Sequence, residues 1–307
     1  MLRFAARRLL TSIPVVFVVG VLVFSMIHLL PGDPVMVMFR GANASPTQIE
    51  QVRHQLGLDQ PAPLQFVSFV TRALRGDFGT SLRSNRPVVE EISKQLPSTL
   101  ELAATGLSLA VIMGVALGTI AGLNRNSWVD TFAMAVAQVG VSLPEFLTGL
   151  LLIYFVSLQL RLLPATGQGG LAPLILPALT LALGFSAITA RLTRSSLIEV
   201  YQQEYILTGR AKGLSERVVL LRHALKNALI PIITIIGLQL GNLLGGTVIV
   251  ETVFARPGIG RLAVNAILAK DFPVIQATVL MAAIVYIVVN IIIDAAYTLL
   301  DPRVRYG

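Results

Sequence analysis

The 307-residue chain predicts an all-α polytopic membrane protein with six transmembrane helices. Hydrophobic residues make up 54% of it and charged residues 13%, against about 25% charged in soluble domains. Apolar runs of about 20 residues recur along the chain, each long enough to cross a bilayer. Basic residues gather beside alternate ends of these runs, as membrane topology requires. The formal charge of +8 has the sign of a nucleic-acid binder. Topological Lys and Arg account for it equally well, so no nucleic-acid partner is expected. With no cysteine in the chain, disulfides, thiol catalysis and thiolate metal sites are excluded.

The spans fall near residues 9–30, 100–122, 129–158, 171–192, 229–250 and 274–299. The first follows a basic start, as a signal peptide does, but is about 22 residues long and closed by no small-x-small cleavage pattern, so it reads as an uncleaved helix. The third contains Pro144, which predicts a kink or break. The fifth carries Gly237-x-x-x-Gly241-x-x-x-Gly245, small residues one turn apart that let helix backbones approach in lipid. That approach serves packing within one subunit, a subunit interface or a pathway.

Placing the N-terminus inside puts thirteen basic residues in the cytoplasm: Arg3, Arg7, Arg8, Arg125, the seven between Arg191 and Lys226, Arg303 and Arg305. The short outer loops hold Arg161, Arg256, Arg261 and Lys270. The remaining seven lie in the loop 31–98, long enough to be translocated whatever its charge. Both termini are therefore expected in the cytoplasm.

Residues 1–30 thus form the inner end and first helix, 31–98 a small extracytoplasmic helical domain, and 99–307 a five-helix core with a cytoplasmic loop near 193–228. In the outer domain Ser45-Pro46-Thr47-Gln48 supplies an N-cap, a first-turn proline and a capping-box glutamine. Ile49, Val52 and Leu56 share one face, and Gly57 ends that helix. A second helix is expected from Pro63 to Arg75, a tight turn at Gly76-Asp77-Phe78-Gly79, and a third helix after Pro87 with Val89, Ile92 and Leu96 on one side.

Catalytic constellations are absent from the sequence. His28, His54 and His223 fall in separate segments without metal-ligand spacing, and no Gly-x-x-x-x-Gly-Lys-Ser/Thr loop is present. Ionisable groups inside spans default to function. Glu145 and Asp294, with the polar Gln239 and Asn242, are therefore candidates to line a translocation path; structural pairing or capping is the alternative for each, as it is for Glu101.

One polar island interrupts the apolar pattern, Glu204–Pro231. Gly209 and Gly213 bracket Arg210-Ala211-Lys212, and Ser215 can cap a second helix running through Ala228. There Val218, Leu221, Ala224, Leu225 and Ala228 repeat at i, i+3, i+4 and give an apolar face. A helix–turn–helix at the inner surface suits either an amphipathic hairpin on anionic lipid or a knob that another protein grips.

Thr208-Gly209-Arg210-Ala211-Lys212-Gly213, followed after nine residues by His223-Ala224-Leu225, resembles the loop that marks permease subunits of ABC importers. That loop has a Glu-Ala-Ala triplet, three residues, Gly, nine residues, then Ile-x-Leu-Pro. Here Leu207-Thr208-Gly209 stands at the triplet and Lys226 at the proline, departures similar to the dipeptide, oligopeptide and nickel branch. Leu30-Pro31-Gly32-Asp33-Pro34, Gln55-Leu56-Gly57-Leu58-Asp59, Gly76-Asp77-Phe78-Gly79-Thr80-Ser81, Val250-Glu251-Thr252-Val253-Phe254 with Pro257-Gly258-Ile259-Gly260-Arg261, Asp271-Phe272-Pro273-Val274-Ile275-Gln276 and Asp301-Pro302-Arg303-Val304-Arg305-Tyr306 resemble the same branch.

The resemblance implies the type I ABC importer permease fold and a multi-pass protein of the bacterial inner membrane that performs no chemistry itself. It implies a second homologous permease, two ATPase subunits that bind ATP and Mg, and an extracytoplasmic solute-binding protein. Glu204, Thr208, Gly209, Arg210, Ala211, Lys212, Gly213, Leu214 and Ser215 would form the loop that couples to an ATPase. Cargo is expected to be di- or oligopeptides, with nickel chelate or glutathione as the alternative. An ion-coupled transporter would instead want internal repeats and buried acids near the midplane, and a lipid-bound scaffold would need only the hairpin.

Overall fold

Lipid offers the backbone no hydrogen-bond partners, so a spanning chain must satisfy itself within helices. The computed structural model is helical over most of the residues it describes, 2–29, 33, 35–36, 45–55 and 58–300. The helices are α1 Leu2–His28, α2 Pro46–Gln55, α3 Ala62–Leu74, α4 Val88–Leu123, α5 Trp128–Ser142, α6 Glu145–Gln159, α7 Ala172–Tyr201, α8 Glu204–Ala211, α9 Glu216–Ala228, α10 Ile230–Val253, α11 Ile259–Ala269 and α12 Phe272–Leu300. Among the described residues α1, α4, α7 and α12 are each long and apolar enough to cross a membrane, and the bent pairs α5 with α6 and α9 with α10 (43°) bring the number to six if each pair is one span.

The break expected at Pro144 is there, and α6 leaves α5 at 106°. Leu143 is extended (φ −94°, ψ 131°), as a residue before proline prefers. The expected separation of an outer third helix from the second span is not. α4 is a single 36-residue helix that runs through Pro97. A proline removes one hydrogen bond without ending a helix that both flanks propagate, and no glycine cap stands between Leu96 and Thr99. Glu90 and Glu91 lie in its first turn, where carboxylates favour the positive end of the helix dipole.

The chain divides into two compact units, residues 1–97 with 257–291, and 98–256 with 292–307. The first thus takes in α11 and most of α12 beside the N-terminal segments, a different partition from the linear one read above. Its core gathers Ile27, Val88, Ile92, Ile259, Ala266, Phe272, Val274, Ile275 and Ala277. α1 meets α3 through Phe24, whose ring lies 5.3 Å from Phe66 and 6.1 Å from Phe69. The capping box forms as expected: Gln48 Oε1 accepts from the Ser45 backbone N–H at 2.9 Å, and Ser45 Oγ from that of Gln48 at 3.3 Å. At the tight turn Gly76 and Gly79 take φ of +75° and +78°, and the Gly79 N–H donates to Asp77 Oδ1. Of the face expected after Pro87, Ile92 is buried while Val89 is exposed, Val88 taking its place.

In the second unit the helices approach closely along glycines. A Cβ on Gly114 of α4 would lie 2.5 Å from the Thr189 Cβ, and one on Gly118 2.4 Å from the Ala190 carbonyl oxygen of α7. On α5 a Cβ at Gly140 would stand 2.2 Å from the Leu183 oxygen. Lipid tails are as apolar as leucine, so helices in a membrane associate chiefly by such packing and by polar contacts. Gly245 has no heavy atom within 4 Å of where its Cβ would stand, and its neighbour Gly246 makes the close contact.

Polar pairs add to this packing. Asp130 of α5 accepts two hydrogen bonds from Arg194 of α7, at 2.6 and 2.7 Å, and Gln239 of α10 donates to the Phe185 carbonyl at 3.2 Å. The expected outcome of Gly118→Ala is a loss of about 1–3 kcal/mol, the range for overpacking, read as a lower thermal midpoint in detergent. Gly184→Ala on α7, where nothing lies within 4 Å, should leave the midpoint unchanged.

Candidate functional site

The polar island folds as an elbow between α7 and α10, and each half of it is stopped by a local rule. α7 ends at Tyr201, and α8 begins after Gln203, whose extended backbone (φ −77°, ψ 144°) turns the chain. At the other end of α8 the Leu214 N–H donates to the Gly209 carbonyl at 3.3 Å and the Gly213 N–H to that of Arg210 at 2.9 Å. Gly213 sits at φ +78°. Those two bonds and the left-handed glycine make a Schellman cap. Gly213 therefore has a structural reason to be glycine within this chain, a left-handed backbone that an L side chain strains. Among the described residues no heavy atom stands within 4 Å of its Cβ position.

Ser215 occupies the N-cap of α9, as expected, but its side chain makes no capping bond. Its carbonyl accepts from the N–H groups of Val218 and Val219, at 2.9 and 3.0 Å. The expected i, i+3, i+4 face of α9 is also corrected. Residues 219–224 form a wider turn, with the Leu225 N–H bonded to the Leu220 carbonyl. An i→i+5 turn holds one residue more than an α turn, so the buried face changes phase. Val219, Ala224 and Ala228 become buried, and Leu221 is turned outward, 53% exposed.

That shifted face closes a small core of Leu197, Ile206, Val219, Ala224 and Ala228, flanked by Val200, Tyr201 and Leu220. Arg210 ties the elbow across its turn. Its Nε and Nη2 donate to the two oxygens of Glu216 at 2.7 and 3.1 Å, and its guanidinium lies 5.3 Å from the Tyr201 ring centroid. Asn227 Nδ2 donates to the Tyr205 hydroxyl at 2.8 Å, joining α9 to α8. Thr208 Oγ1 donates to the Glu204 carbonyl at 3.0 Å. Of the nine expected loop residues all but Gly209 are exposed, and the apolar Leu207 stands beside them at 69%. Sequence reasoning missed Tyr201, Tyr205, Ile206 and Asn227. Each acts through a partner many residues away, which periodicity does not reveal.

Three of the four candidate pathway residues, Glu145, Gln239 and Asn242, have described side chains. Glu145 begins α6 at the 106° break, and its carboxylate lies against α10, where a Cβ on Gly246 would be 2.8 Å from Oε2. That oxygen is buried with no hydrogen-bond partner among the described residues. Asn242, one turn before Gly246 on α10, is exposed. Gln239 is buried between α10 and α7, and its Oε1 accepts from Thr189 Oγ1 at 3.4 Å. The side chain of Asp294 lies outside the described residues, as do Leu30–Gly32, Pro34, Leu56, Gly57 and 301–307 from the motifs above. Glu101 takes the structural role: its Oε2 accepts from Arg256 Nη2 at 2.6 Å. Glu251, just past the expected end of the fifth span, is fully buried and accepts from Thr99 Oγ1 at 2.6 Å. Among the described residues no group of three or more His, Asp or Glu is placed to hold a metal ion.

Two family descriptions match the chain. "Binding-protein-dependent transport system inner membrane component" covers residues 114–306, and the N-terminal membrane component of the same systems covers residues 1–103. The glutathione transport system permease protein GsiC of Escherichia coli strain K12 is 45% identical over 306 residues, all of both chains. GsiC of Salmonella typhimurium strain LT2 is equally similar over the same length. Among solved structures, an inward-facing MetNI methionine ABC transporter chain superposes with a TM-score of 0.59 at 16% identity, over 69% of this chain and 96% of that one. An amino acid ABC transporter with histidines gives 0.51 at 17%, over 70% and 94%. At those identities the structural likeness speaks for the fold alone.

The Arg210 guanidinium holds the Glu216 carboxyl below its ordinary value of 4.5, chiefly by hydrogen bonding. A carboxyl lowered by folding stabilises above its unfolded pKa and loses that contribution as pH falls through the folded value. Limited proteolysis at the Lys212–Ser215 turn should therefore be slow near neutral pH and accelerate as pH falls below the ordinary carboxyl value of 4.5. Glu216→Gln should cleave at the faster rate at every pH, and added salt should narrow the difference because both groups are exposed.

Proposed function

The chain belongs to the family of binding-protein-dependent transport system inner membrane components and is an ABC importer permease subunit, and on that premise we propose that its elbow couples ATPase movement to a pathway for short peptides. The protein is a multi-pass inner membrane protein. In the proposed assembly it pairs with a second, related permease, each providing half of the pathway. Two ATPase subunits dock on the cytoplasmic side and bind the ATP and Mg, a solute-binding protein delivers cargo outside, and both termini lie in the cytoplasm. This subunit then carries no catalytic residue and no cofactor of its own.

The elbow itself supports the reading. A coupling element has to pass on a displacement without yielding, and differential contacts in two states are what make a transition respond to a partner. The backbone at 209–215 is closed by the Schellman cap, the turn is bridged by Arg210 and Glu216, and Ile206 and Val219 lock both helices onto α7 through Leu197. A push on the exposed turn is carried into α7 at Tyr201 and into α10 at Ile230. Leu207, Leu214 and Leu221 stand partly or largely in water beside the basic Arg210 and Lys212, a mixed surface suited to a protein groove. A lipid-lying hairpin would need one continuous apolar face, whereas the wide turn at 219–224 sends Leu221 away from Val219 and Ala224. Glu145 and Asn242 are the proposed pathway residues on this chain, with Asp294 a further candidate, while Gln239 holds the helices around them.

Short peptides are the proposed cargo. The curated relatives are named for glutathione, itself a tripeptide, so both expectations above converge on one chemistry. Glu145, whose carboxylate has an unspent acceptor, suits the ammonium end of such a cargo.

Gly213→Glu is expected to leave the four-subunit complex assembled and to abolish cargo-stimulated ATP hydrolysis and uptake. Gly76→Glu imposes the same backbone strain at φ +75°, with equally open space around it, and should leave turnover coupled. Uptake that persists with Gly213→Glu, or an equal loss in both variants, would sink the coupling role.

A further inference from the structure

We propose that α3 is a membrane-interface helix, its outward face lying in the lipid of the leaflet at the His28 end of α1 and not in the water above it. Ala62–Leu74 presents three faces at helical spacing. Phe66 and Phe69 pack on α1. Gln65, Ser68 and Arg72 line a cavity of about 150 Å³ together with His54 and Gln60. Leu64, Val67, Thr71 and Leu74, at intervals of three, four and three residues, form the third face. That face is open: Leu64 and Val67 are 57% exposed and Leu74 83%.

The depth of α3 is set by what it touches. α1 is long and apolar enough to cross a membrane between Leu10 and His28. The Phe66 ring lies 5.3 Å from that of Phe24 and 5.9 Å from that of Phe17, and the Phe69 ring 6.1 Å from Phe24. At 1.5 Å per residue, Phe24 stands about 6 Å and Phe17 about 16 Å inside His28 along the helix axis. His28, the last residue of α1, has its Nε2 3.0 Å from Gln65 Oε1. α3 is therefore pinned at the mouth of the span and packs a turn or more within it. An interfacial helix sinks its apolar face about 5–10 Å, which is the depth these contacts give.

Composition agrees with that placement. No charged residue occurs from Ala62 to Thr71, and cations begin only at Arg72 and Arg75, at the end where the helix dipole favours them. In water, a row of three large apolar side chains would be an open patch of the kind that marks a membrane or a partner. Lipid is the occupant the contacts select. Phe17, which Phe66 touches edge-on, is itself 57% exposed on the flank of a span, so hydrocarbon that covers Phe17 reaches α3 as well. The polar row Gln65, Ser68 and Arg72 is turned instead to the cavity beside His54. The segment expected as an extracytoplasmic domain is thereby divided, α3 belonging to the bilayer and α2 to the water. Depth is measured from His28, on whichever side of the membrane that end lies. None of these residues belongs to the elbow, so the inference stands apart from the coupling role.

The chain has no native cysteine, so single nitroxide labels report on it without background. The test places one label at a time, by Leu64→Cys, Val67→Cys or Leu74→Cys, on the full-length chain in nanodiscs of phosphatidylethanolamine and phosphatidylglycerol. Collision rates are read with oxygen, which concentrates in hydrocarbon, and with a water-soluble chromium chelate. Val18→Cys, within the span, gives the lipid reference, and His54→Cys, on α2, the aqueous one. All these positions and Ser68 are exposed, so an unchanged thermal midpoint is expected of every variant. The oxygen-to-chelate ratio at Leu64, Val67 and Leu74 should shift to that of Val18, while Ser68→Cys shifts towards that of His54. Ratios at the His54 level along the outward face would put α3 in water and overturn the proposal. Low collision rates with both reagents would put the face under protein, a second copy of this chain included, and overturn it equally.

Discussion

The second unit depends on one constraint: in lipid, leucine gains little by leaving its neighbours for another helix. Association then rests on how closely backbones approach and on the polar groups that meet when they do. α7 is the element on which both requirements converge. Gly114 and Gly118 of α4 and Gly140 of α5 press against its backbone and small side chains. Asp130 reaches Arg194 near its far end, and Gln239 of α10 reaches Phe185 at its middle. Ala182, Ala187, Ala190 and Thr193 are buried to within a few per cent, which leaves no room for larger residues there. The elbow inherits its rigidity from this helix, because Leu197 and Tyr201 are both the end of α7 and the floor under α8 and α9.

The first unit uses the opposite strategy, a polar hub rather than glycine contacts. Asp271 collects a hydroxyl and a backbone N–H from a turn far away in sequence, and so gives a short loop a fixed shape. Such a hub is cheap in residues but demanding in geometry, since a half-satisfied buried carboxylate is worse than none. The motifs Gly76–Ser81 and Asp271–Gln276, which look unrelated along the chain, are two sides of one structure.

What was legible in the sequence follows from how each feature is encoded. The spans come from run length, the Pro144 break and the Ser45 capping box from residue types with strong local rules, and Gly213 from its place between two helix-compatible segments. Features that depend on partners were not visible. Asp130–Arg194 joins residues 64 apart and Ser81–Asp271 joins residues 190 apart, and a single sequence carries no sign of such pairing. The wide turn at 219–224 has no residue code, so Val219 rather than Leu221 faces inward against a regular helical count. The third outer helix and the second span were read as separate, yet α4 joins them through Pro97. The close approach of Gly114 and Gly118 to α7, at the same four-residue spacing as the stripe noticed on α10, was not singled out.

The 106° bend between α5 and α6 bears on how the chain enters a membrane. α5 has 15 residues, short of the roughly 20 that cross the hydrocarbon unaided, and α6 is no longer. The backbone at Leu143 and Pro144, where the helices part, exposes groups that lipid does not satisfy, so protein has to cover it. Within this chain the cover nearest to hand is α7, which touches α5 at Gly140 and holds Asp130 through Arg194. Neither arm is therefore an autonomous inserting unit. Residues 128–159 reach their resting depth only in the company of a helix that the ribosome delivers after them.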